Sequence, residues 1–489
     1  MDRRKFIVTS SAGGGAALTA GLVSCNEQPG LKEQDGTPKK KGFRISDLAP
    51  TPPLGWNSFD SYGVYLHHDA TMKNMEAMAE KLKPHGYEYF VIDGGWYGEF
   101  KLVEGTMYPL EKHAKEVNLN EFGIYQPSKV YFSQGFEPIV QKGHSIGLKM
   151  GIHVMRGVPR EAVKQKLPIK GTQYTCADIA DQTRTCAWND QNYGIDVTKP
   201  GAQEYYNSVF KQIADWEFDF VKVDDLTPYP DEILMIARAI ENSGRAMVYS
   251  LSPGNGISLT HLPYYHRANM MRITRDIWDR RKDLDKAFIA WKMFQGRAYP
   301  GFWPDMDMIP FGNLQLMSPE MYDNGEKNPN LSGEGFTRRC RLTPPQMRTF
   351  ITMRALSASP LMMGGDLVTL DEFSHTLITH PEILACNQNG VNGVNVYDKD
   401  GIEVWVTNKK KVKGEGWIGV FNRNKEGREV SLSRTDLGLI EFVTGYKQQA
   451  LQRPVEITDI WKDERFVFSE DTRSFVLETD DVAFLTFSS

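Results

Sequence analysis

The chain is poor in cysteine and has no long run of basic residues. Five cysteines occur among 489 residues, and they form no Cys-x-x-Cys pair and no Cys/His cluster with the spacing of a metal site. Lys and Arg number 57 against 62 Asp and Glu, which gives a net charge of −5. A mildly acidic chain of this kind is a poor candidate for binding nucleic acid. We therefore expect no nucleic-acid partner and no zinc site.

Long apolar runs are also missing, and the apolar stretch near the N-terminus is too short for a membrane span. Residues 1–25 start with charged residues and continue into a Gly- and Ala-rich segment, the pattern of an export signal. The pair Arg3-Arg4 followed by Phe6 fits the twin-arginine type. The segment ends in Leu-Val-Ser-Cys, which resembles a bacterial lipobox and would make Cys25 the lipid-modified first residue. An ordinary cleavage site with a chance cysteine is the alternative.

Residues 26–45 are polar, contain Gly and Pro, and predict a flexible tether. The N-terminus thus predicts a bacterial lipoprotein, periplasmic or at the cell surface, that contacts the membrane only through the lipid at Cys25. Nothing in the sequence indicates an oligomeric state. Because an exported protein can form disulfides, a local bridge between Cys176 and Cys186 is plausible.

Residues 46–390 alternate short apolar runs with segments of helical period, which predicts a parallel sheet covered by helices. Residues 69–86, for example, have the spacing of an amphipathic helix that Gly86 ends. The predicted strands are Tyr89–Ile92, Lys149–Val154, Phe218–Val223, Ala246–Ser250 and Met270–Ile273. Residues 391–489 instead contain short alternating strands separated by turns, which predicts an antiparallel β-sandwich.

Several predicted strands end in polar residues, namely Asp93, His153, Asp224 and Asp276. A single aspartate at a strand end often caps the next helix. Four polar strand ends indicate a site instead, because a (β/α)₈ barrel builds its active site at the C-terminal ends of its strands.

Two carboxylates in these segments have surroundings that suit different roles. Lys222 and Asp224 lie on the same side of a strand, and a neighbouring cation keeps a carboxylate ionised, as a nucleophile must be. Asp276 is followed by Ile277 and Trp278, and apolar surroundings favour the protonated form that a proton donor needs. Glycoside hydrolysis requires two such carboxyl groups, one that stays ionised and one that stays protonated. The Arg272/Asp276 spacing also fits a plain salt bridge on a helix surface.

An ordered set of motifs resembles glycoside hydrolase family 27, the α-galactosidase-like enzymes. The matching segments are TPPLGWNS at 51–58, GLKMGI at 147–152, KVD at 222–224, Arg272 with Asp276, WPDMDM at 303–308, SPLMMGGDL at 359–367 and CNQ at 386–388. The resemblance implies a (β/α)₈ barrel followed by an antiparallel β-domain. It implies retaining hydrolysis without metal or other cofactor, with Asp224 as nucleophile and Asp276 as acid/base. It also implies a sugar site containing Trp56, Asp93, His153, Lys222, Ser252, Arg272 and Trp303.

The chain departs from the family pattern in four places. Family α-galactosidases have a second Asp after the one matching Asp93, and here this residue is Gly94. His153 replaces the Tyr of the GIY motif, Phe59 replaces a Trp, and Leu251–Gly254 replaces a Cys-Glu-Trp segment. A small Ser252 leaves room for a C2 substituent, as in family N-acetylgalactosaminidases. The insertion at about 158–195, predicted as an extra loop near the pocket mouth, could set which aglycone is accepted.

Four functions remain open at this stage. The first is an exo-acting α-galactosidase with a glycan substrate. The second is the same chemistry on α-GalNAc or β-L-arabinopyranosyl groups. The third is a glycan-binding lipoprotein without activity, against which the presence of both Asp224 and Asp276 argues. The fourth is a metal-dependent hydrolase using Asp224, Asp225, Asp305 and Asp307, which no histidine supports by its spacing. We expect Asp225, Asp305 and Asp307 to be supporting residues.

Overall fold

The computed structural model describes residues 43–253, 256–318, 331–443, 447–468 and 471–489. The predicted export signal with Cys25, nearly all of the predicted tether and Gly254 lie outside these ranges. Within the ranges, no helix is both long and apolar enough to cross a membrane.

Residues 54–363 contain the eight parallel strands of a (β/α)₈ barrel, as predicted. The strands are β1 (Leu54–Asn57), β2 (Tyr89–Ile92), β3 (Lys149–Met155), β4 (Phe220–Asp224), β5 (Val248–Leu251), β6 (Met270–Arg272), β7 (Trp303–Asp305) and β8 (Leu361–Met363). They pair in the order β7-β6-β5-β4-β3-β2-β1-β8. A parallel bridge between Ile309, which follows β7, and Met363 of β8 brings the two ends of this sheet together.

The strand bounds follow the apolar runs closely, and all five predicted strands are present. Three further strands, β1, β7 and β8, were missed. Each has only three or four residues and contains or adjoins Gly or Pro, so its apolar run is too short to stand out.

Side chains inside the barrel lie in layers because alternate residues of each strand point inward. The lowest layer is apolar and includes Phe220, Met270 and Trp303. Two residues further along the same strands, the layer is polar, with Lys222, Arg272 and Asp305. The next inward position of β4 is Asp224 at the strand's C-terminal end. The sequence thus places its charged residues at one end of an apolar barrel interior.

Nine helices of the described chain connect and cover the strands. They are α1 (His68–Lys81), α2 (Glu137–Ser145), α3 (Ala202–Asp215), α4 (Pro230–Ser243), α5 (Leu262–Tyr265), α6 (Arg281–Phe294), α7 (Pro344–Leu356), α8 (Glu372–Thr379) and α9 (Pro381–Gln388). Proline lies in the first turn of α2, α4, α5, α7 and α9, where its missing N–H costs no helix hydrogen bond. The helix predicted before Gly86 ends at Lys81, and a 3₁₀ turn (Lys83–His85) follows. Gly86 has a φ of 93°, which favours glycine.

The insertion is a small folded unit and not a plain loop, which corrects the prediction. It contains a three-stranded antiparallel sheet of Val158–Pro159, Asn192–Ile195 and Ala180–Thr185, with the helices Arg160–Gln165 and Cys176–Ile179. Further short pieces are the helix Phe59–Tyr62, the 3₁₀ turns Ile45–Asp47 and Leu259–His261, and the strand pairs Gly98–Glu99 with Glu116–Val117 and Asn313–Leu314 with Arg338–Arg339.

The C-terminal residues form an antiparallel β-sandwich, as predicted. The large sheet is ordered Val394–Lys399, Ile402–Asn408, Glu415–Asn422, Val482–Ser488, Val455–Asp459 and Glu464–Phe468. Smaller pairs are Arg428–Ser433 with Thr472–Leu477 and Ile440–Val443 with Lys447–Ala450. The apolar core contains Val404 and Val420 from the large sheet and Leu432 and Phe475 from the first pair. Trp405 stacks on Trp291 of α6, with ring centroids 3.6 Å apart, and joins the sandwich to the barrel.

The predicted disulfide between Cys176 and Cys186 is absent, and all four cysteines of the described chain are free thiols. The Sγ of Cys176 lies against the carbonyl of Phe122, at 3.8 Å. Cys186 instead faces the Asp225 carboxylate. The two thiols thus have different partners, although only nine residues separate them in the sequence.

Candidate active site

A cavity of about 340 Å³ opens at the C-terminal ends of the barrel strands. Of the residues predicted for the site, Asp93, His153, Lys222, Asp224, Arg272 and Asp276 line it. These side chains come from β3, β4, β6 and the segments that follow β2 and β6. The polar strand ends recognised in the sequence therefore meet in one pocket.

Asp224, the last residue of β4, is held as a carboxylate. Its Oδ2 lies 3.2 Å from His153 Nε2, and its Oδ1 accepts a hydrogen bond from the Asp225 amide, also at 3.2 Å. Burial opposes ionisation, but the hydrogen bond to His153 and the charges of Lys222 and Arg272 outweigh it. Together they hold the pKa of Asp224 well below its usual range. An ionised carboxylate at this position is competent as a nucleophile.

Lys222 and Asp93 form a buried ion pair beside Asp224. Lys222 Nζ donates to Asp93 Oδ2 at 2.8 Å, and the Asn57 amide donates to the same oxygen at 2.6 Å. The Gly94 amide donates to Asp93 Oδ1 at 2.7 Å. Burial opposes charge on both groups, yet their mutual attraction lowers the pKa of Asp93 and raises the pKa of Lys222. Asp93 is therefore a fixed anion that three hydrogen-bond donors hold in place.

Asp276 lies four residues beyond Arg272, which ends β6, and its side chain is 63% exposed. Arg272 Nη2 donates to Asp276 Oδ1 at 2.6 Å. The prediction that Ile277 and Trp278 place Asp276 in apolar surroundings is therefore wrong. Both of those side chains are buried, whereas the Asp276 carboxylate faces solvent. A substrate that fills the pocket would cover this carboxylate and remove it from water.

Arg272 connects Asp276 to the pocket floor. Its Nη1 donates to Ser252 Oγ at 3.3 Å, and its Nε lies 3.5 Å from Asp307 Oδ1. Asp307 Oδ2 accepts a hydrogen bond from the Ile277 backbone amide at 2.8 Å. This bond fixes the loop that carries Asp276. Burial raises the pKa of Asp307, and the Arg272 charge opposes that rise.

Comparison with known proteins agrees with this geometry. A family model described as alpha galactosidase A matches residues 187–323. A solved β-L-arabinopyranosidase of glycoside hydrolase family 27, from Geobacillus stearothermophilus, is 34% identical with a TM-score of 0.81. The match covers 91% of this chain and 99% of that one. The chain belongs to glycoside hydrolase family 27. It is a glycosidase of the α-galactosidase-like type.

Three other proteins are similar to this chain at lower identity. A Bacillus halodurans structure described as a candidate α-N-acetylgalactosaminidase is 31% identical, with a TM-score of 0.74 and coverage of 90% and 98%. An α-galactosidase of Cyamopsis tetragonoloba is 24% identical over 85% of this chain and 80% of its own length. Human α-galactosidase A is 25% identical over 81% of each chain.

Three residues predicted for the sugar site of this family 27 enzyme do not line the pocket. Trp56 points outward from β1 into the helix layer and donates to the Gly365 carbonyl at 2.8 Å. Trp303 points inward but lies in the lowest layer, where its indole donates to the Ala49 carbonyl at 2.8 Å. Ser252 is buried against Arg272, and the neighbouring Pro253 lines the pocket instead. The structure therefore does not bring Trp56, Trp303 or Ser252 to the pocket wall.

Aromatic and acidic residues that were not predicted as sugar-site residues complete the pocket wall. They are Asp60, Tyr97, Phe100, Trp188 and Trp278, with Phe59 at the position of the family tryptophan. Phe59 could be recognised from the sequence, because it directly follows the motif TPPLGWNS at 51–58. Asp60 is buried, and burial together with the nearby charges of Asp307 and Asp276 raises its pKa well above the usual value. No spacing in the sequence marks Asp60, since its role depends on the chain segments that fold over it.

A buried charge cluster lies behind Asp224. Asp225 has a φ of 56°, a backbone conformation that residues other than glycine rarely adopt. Arg156 Nη2 lies 2.9 Å from Asp225 Oδ2, and Arg156 Nη1 lies 3.2 Å from Glu232 Oε1. Tyr206 donates to the other oxygen of Glu232 at 2.7 Å. The pair Arg156–Asp225 holds this turn and so fixes the main chain beside Asp224.

Proposed function

We propose that this glycosidase removes terminal α-galactosyl residues from oligo- or polysaccharides with retention of configuration. The observation that carries the proposal is the ionised, buried Asp224, which faces the same pocket as the solvent-exposed Asp276. A buried carboxylate held ionised suits attack on a sugar carbon, and an accessible carboxyl group suits proton exchange with the leaving group and with water.

The reaction has two displacement steps. In the first, an Asp224 oxygen forms a bond to the anomeric carbon while the bond from that carbon to the leaving oxygen breaks, and Asp276 gives its proton to that oxygen. In the second, Asp276 removes a proton from water, the water oxygen attacks the anomeric carbon, and Asp224 is released as a carboxylate. Two inversions give net retention. Lys222 and Arg272 keep Asp224 ionised, and Arg272 positions Asp276.

Exo action follows from the shape of the pocket. Asp60, Asp93 and Lys222 line the same cavity from its inner side, and apolar residues of the lowest barrel layer lie beneath them. A cavity that ends in this way accepts the end of a glycan chain. The fixed Asp93 anion and the Lys222 ammonium offer an acceptor and a donor to the hydroxyl groups of that terminal sugar.

A second candidate is hydrolysis of β-L-arabinopyranosides, which one observation favours. The β-L-arabinopyranosyl ring has the shape of the α-D-galactopyranosyl ring without its C6 hydroxymethyl group. A Cβ built on Gly94 would lie 3.2 Å from Nδ1 and Cε1 of His153. The imidazole thus takes the space next to position 94, where family α-galactosidases carry their second aspartate. This leaves a C6 hydroxyl without that carboxylate.

A panel of p-nitrophenyl glycosides tests both candidates. Wild type and Asp224→Ala are assayed on the α-galactoside, the β-L-arabinopyranoside, the α-N-acetylgalactosaminide and the α-glucoside. We expect cleavage of the α-galactoside, of the β-L-arabinopyranoside or of both, and loss of that activity in Asp224→Ala. Preference for the β-L-arabinopyranoside would select the second candidate. No turnover of any member by wild type would contradict both.

We also propose that the enzyme is exported and anchored by a lipid on Cys25. The support is the sequence of residues 1–25, with its charged start, short apolar run and final Leu-Val-Ser-Cys. Mass spectrometry of the mature protein should find Cys25 first and carrying acyl chains, and Cys25→Ala should release the protein from the membrane fraction. A mature chain that retains residues upstream of Cys25 would contradict the anchor.

A further inference from the structure

The mouth of the active-site pocket carries an exposed aromatic ring with no role in the reaction steps above. Trp188 belongs to the folded insertion, lines the pocket and is 46% exposed. Within the described chain, no other aromatic ring packs against its indole. A bare indole at the entrance of a sugar pocket is well suited to pack against the apolar face of a second sugar ring.

Two cations at the same mouth also lack partners. Lys112 and Arg275 are exposed and line the pocket, and neither side chain has an ion pair or hydrogen bond to a described residue. The cations deeper in the pocket are different, because Lys222 is paired with Asp93 and Arg272 with Asp276. Unpaired positive charge therefore collects at the entrance of a pocket in a chain whose net charge is −5.

The position of Arg275 indicates which part of a bound substrate would lie near the positive charge at the mouth. Arg275 directly precedes Asp276, and both line the pocket. A general acid must lie within hydrogen-bond reach of the oxygen that it protonates, so the leaving group sits next to Asp276. The aglycone sugar thus has to occupy the part of the pocket mouth that Arg275 borders.

We propose that this mouth is an aglycone subsite for an anionic sugar. The ring of that sugar packs on Trp188, and its carboxylate or sulfate group pairs with Arg275 and Lys112. The choice of an anionic sugar rests on charge complementarity, because a neutral aglycone would leave Arg275 and Lys112 without an ionic partner. This inference rests on the proposed function, since Asp276 must be the acid for the leaving group to lie at this place.

Three disaccharides that differ only at C6 of the leaving sugar test the proposal. The sugar identified by the aryl glycoside panel is linked to O4 of methyl β-glucoside, methyl β-glucuronide or methyl β-glucoside 6-sulfate. We expect kcat/KM for the glucuronide, the sulfate or both to exceed that for the glucoside by about fivefold or more at low ionic strength. The preference should decrease in 0.5 M NaCl. A gain for the glucuronide alone identifies a planar carboxylate as the partner of Arg275.

Variants locate the effect on the enzyme. Arg275→Gln and Lys112→Gln should each lower the ratio of anionic to neutral kcat/KM severalfold, whereas Trp188→Ala should lower kcat/KM for all three disaccharides relative to the aryl glycoside. Lys115→Gln is the matched control, because Lys115 is an exposed lysine close to Lys112 in the sequence that does not line the pocket. Its ratio of anionic to neutral kcat/KM should equal that of wild type. Equal kcat/KM for the three disaccharides overturns the subsite. Failure on every aryl glycoside overturns the proposed function instead.

Discussion

The Nε2 atom of His153 lies 3.2 Å from Oδ2 of Asp224, and both side chains are buried. The other ring nitrogen, Nδ1, has no partner among the described residues and faces the space beside Gly94. With Nε2 donating to the Asp224 carboxylate, Nδ1 is the ring nitrogen that points to the part of the pocket where family α-galactosidases hold a carboxylate. One side chain thus contacts both Asp224 and the space beside Gly94, where the chain departs from the family pattern.

Replacing His153 should change how the activity depends on pH. His153→Phe removes the donor to Asp224, so the pKa of Asp224 should rise because one of the groups that lower it is gone. We expect kcat/KM to fall by about tenfold or more and its acidic limb to move to higher pH. His153→Gln, which can still donate, should recover part of both effects. An acidic limb that stays in place in His153→Phe would show that this hydrogen bond does not tune the nucleophile.

Removing Lys222 should destabilise the fold because Asp93 would remain buried without its cation. Lys222→Gln should lower the free energy of unfolding by about 3–5 kcal/mol. Lys149→Gln on the adjacent strand is the control. Its ion pair with Glu88 is exposed, and its loss should cost about 1 kcal/mol or less. Urea unfolding of both variants measures the difference, and equal losses would contradict the importance of the buried pair.

Asp305 should make the stability depend on pH between about 4 and 6. Burial raises the pKa of Asp305 to about 6, although the charge of Arg354 opposes the rise. In that window the folded protein binds a proton that the unfolded chain does not, so this contribution to stability is present at pH 4 and is lost as the pH rises through 6.

Asp305→Asn removes that dependence. From pH 4.5 to pH 7 its free energy of unfolding should rise relative to wild type by about 2 kcal/mol. Asp69→Asn, at a site with an 83% exposed side chain, is the control and should follow wild type at both pH values. A constant difference between Asp305→Asn and wild type would show that Asp305 is not protonated in the folded state.

Exchanging the two residues that depart from the α-galactosidase pattern should shift the sugar preference. Gly94→Asp alone forces a side chain against the His153 ring, so it should reduce activity on every substrate. Combined with His153→Tyr, it restores the second carboxylate and the family tyrosine. The ratio of kcat/KM for the α-galactoside to that for the β-L-arabinopyranoside should then rise by about tenfold or more. An unchanged ratio would place the specificity elsewhere in the pocket.

The barrel and the polar strand ends could be predicted because both follow from local sequence periodicity. Once Phe220, Lys222 and Asp224 lie on one strand, their shared side and their order from core to pocket are fixed. Trp56 and Trp303 show where this reasoning ends. Trp56 faces the helices because its neighbour Asn57 faces inward to Asp93, and Trp303 faces inward two layers below the nucleophile. A motif supplies the residue type, whereas strand register decides its depth and side.

Residues that reach the pocket from distant segments could be predicted only in part. The insertion that contains Trp188 was expected near the pocket mouth, but its fold and the contact of Trp188 with the pocket were not. Lys112 was not predicted, because its position depends on how the strand pair after β2 folds back. The absent disulfide has the same origin. Cys176 and Cys186 are close in sequence, but the small sheet of the insertion directs them to different neighbours.

Covalent trapping tests the central assignment, Asp224 as the nucleophile, most directly. The enzyme is incubated with the 2-deoxy-2-fluoroglycosyl fluoride of the sugar that it cleaves, and the intact mass and peptide map are then measured. We predict one glycosyl group per chain, attached to Asp224, in wild type and in Asp225→Asn but not in Asp224→Asn. A label on another carboxylate, or an inverted product formed without any label, would contradict the account.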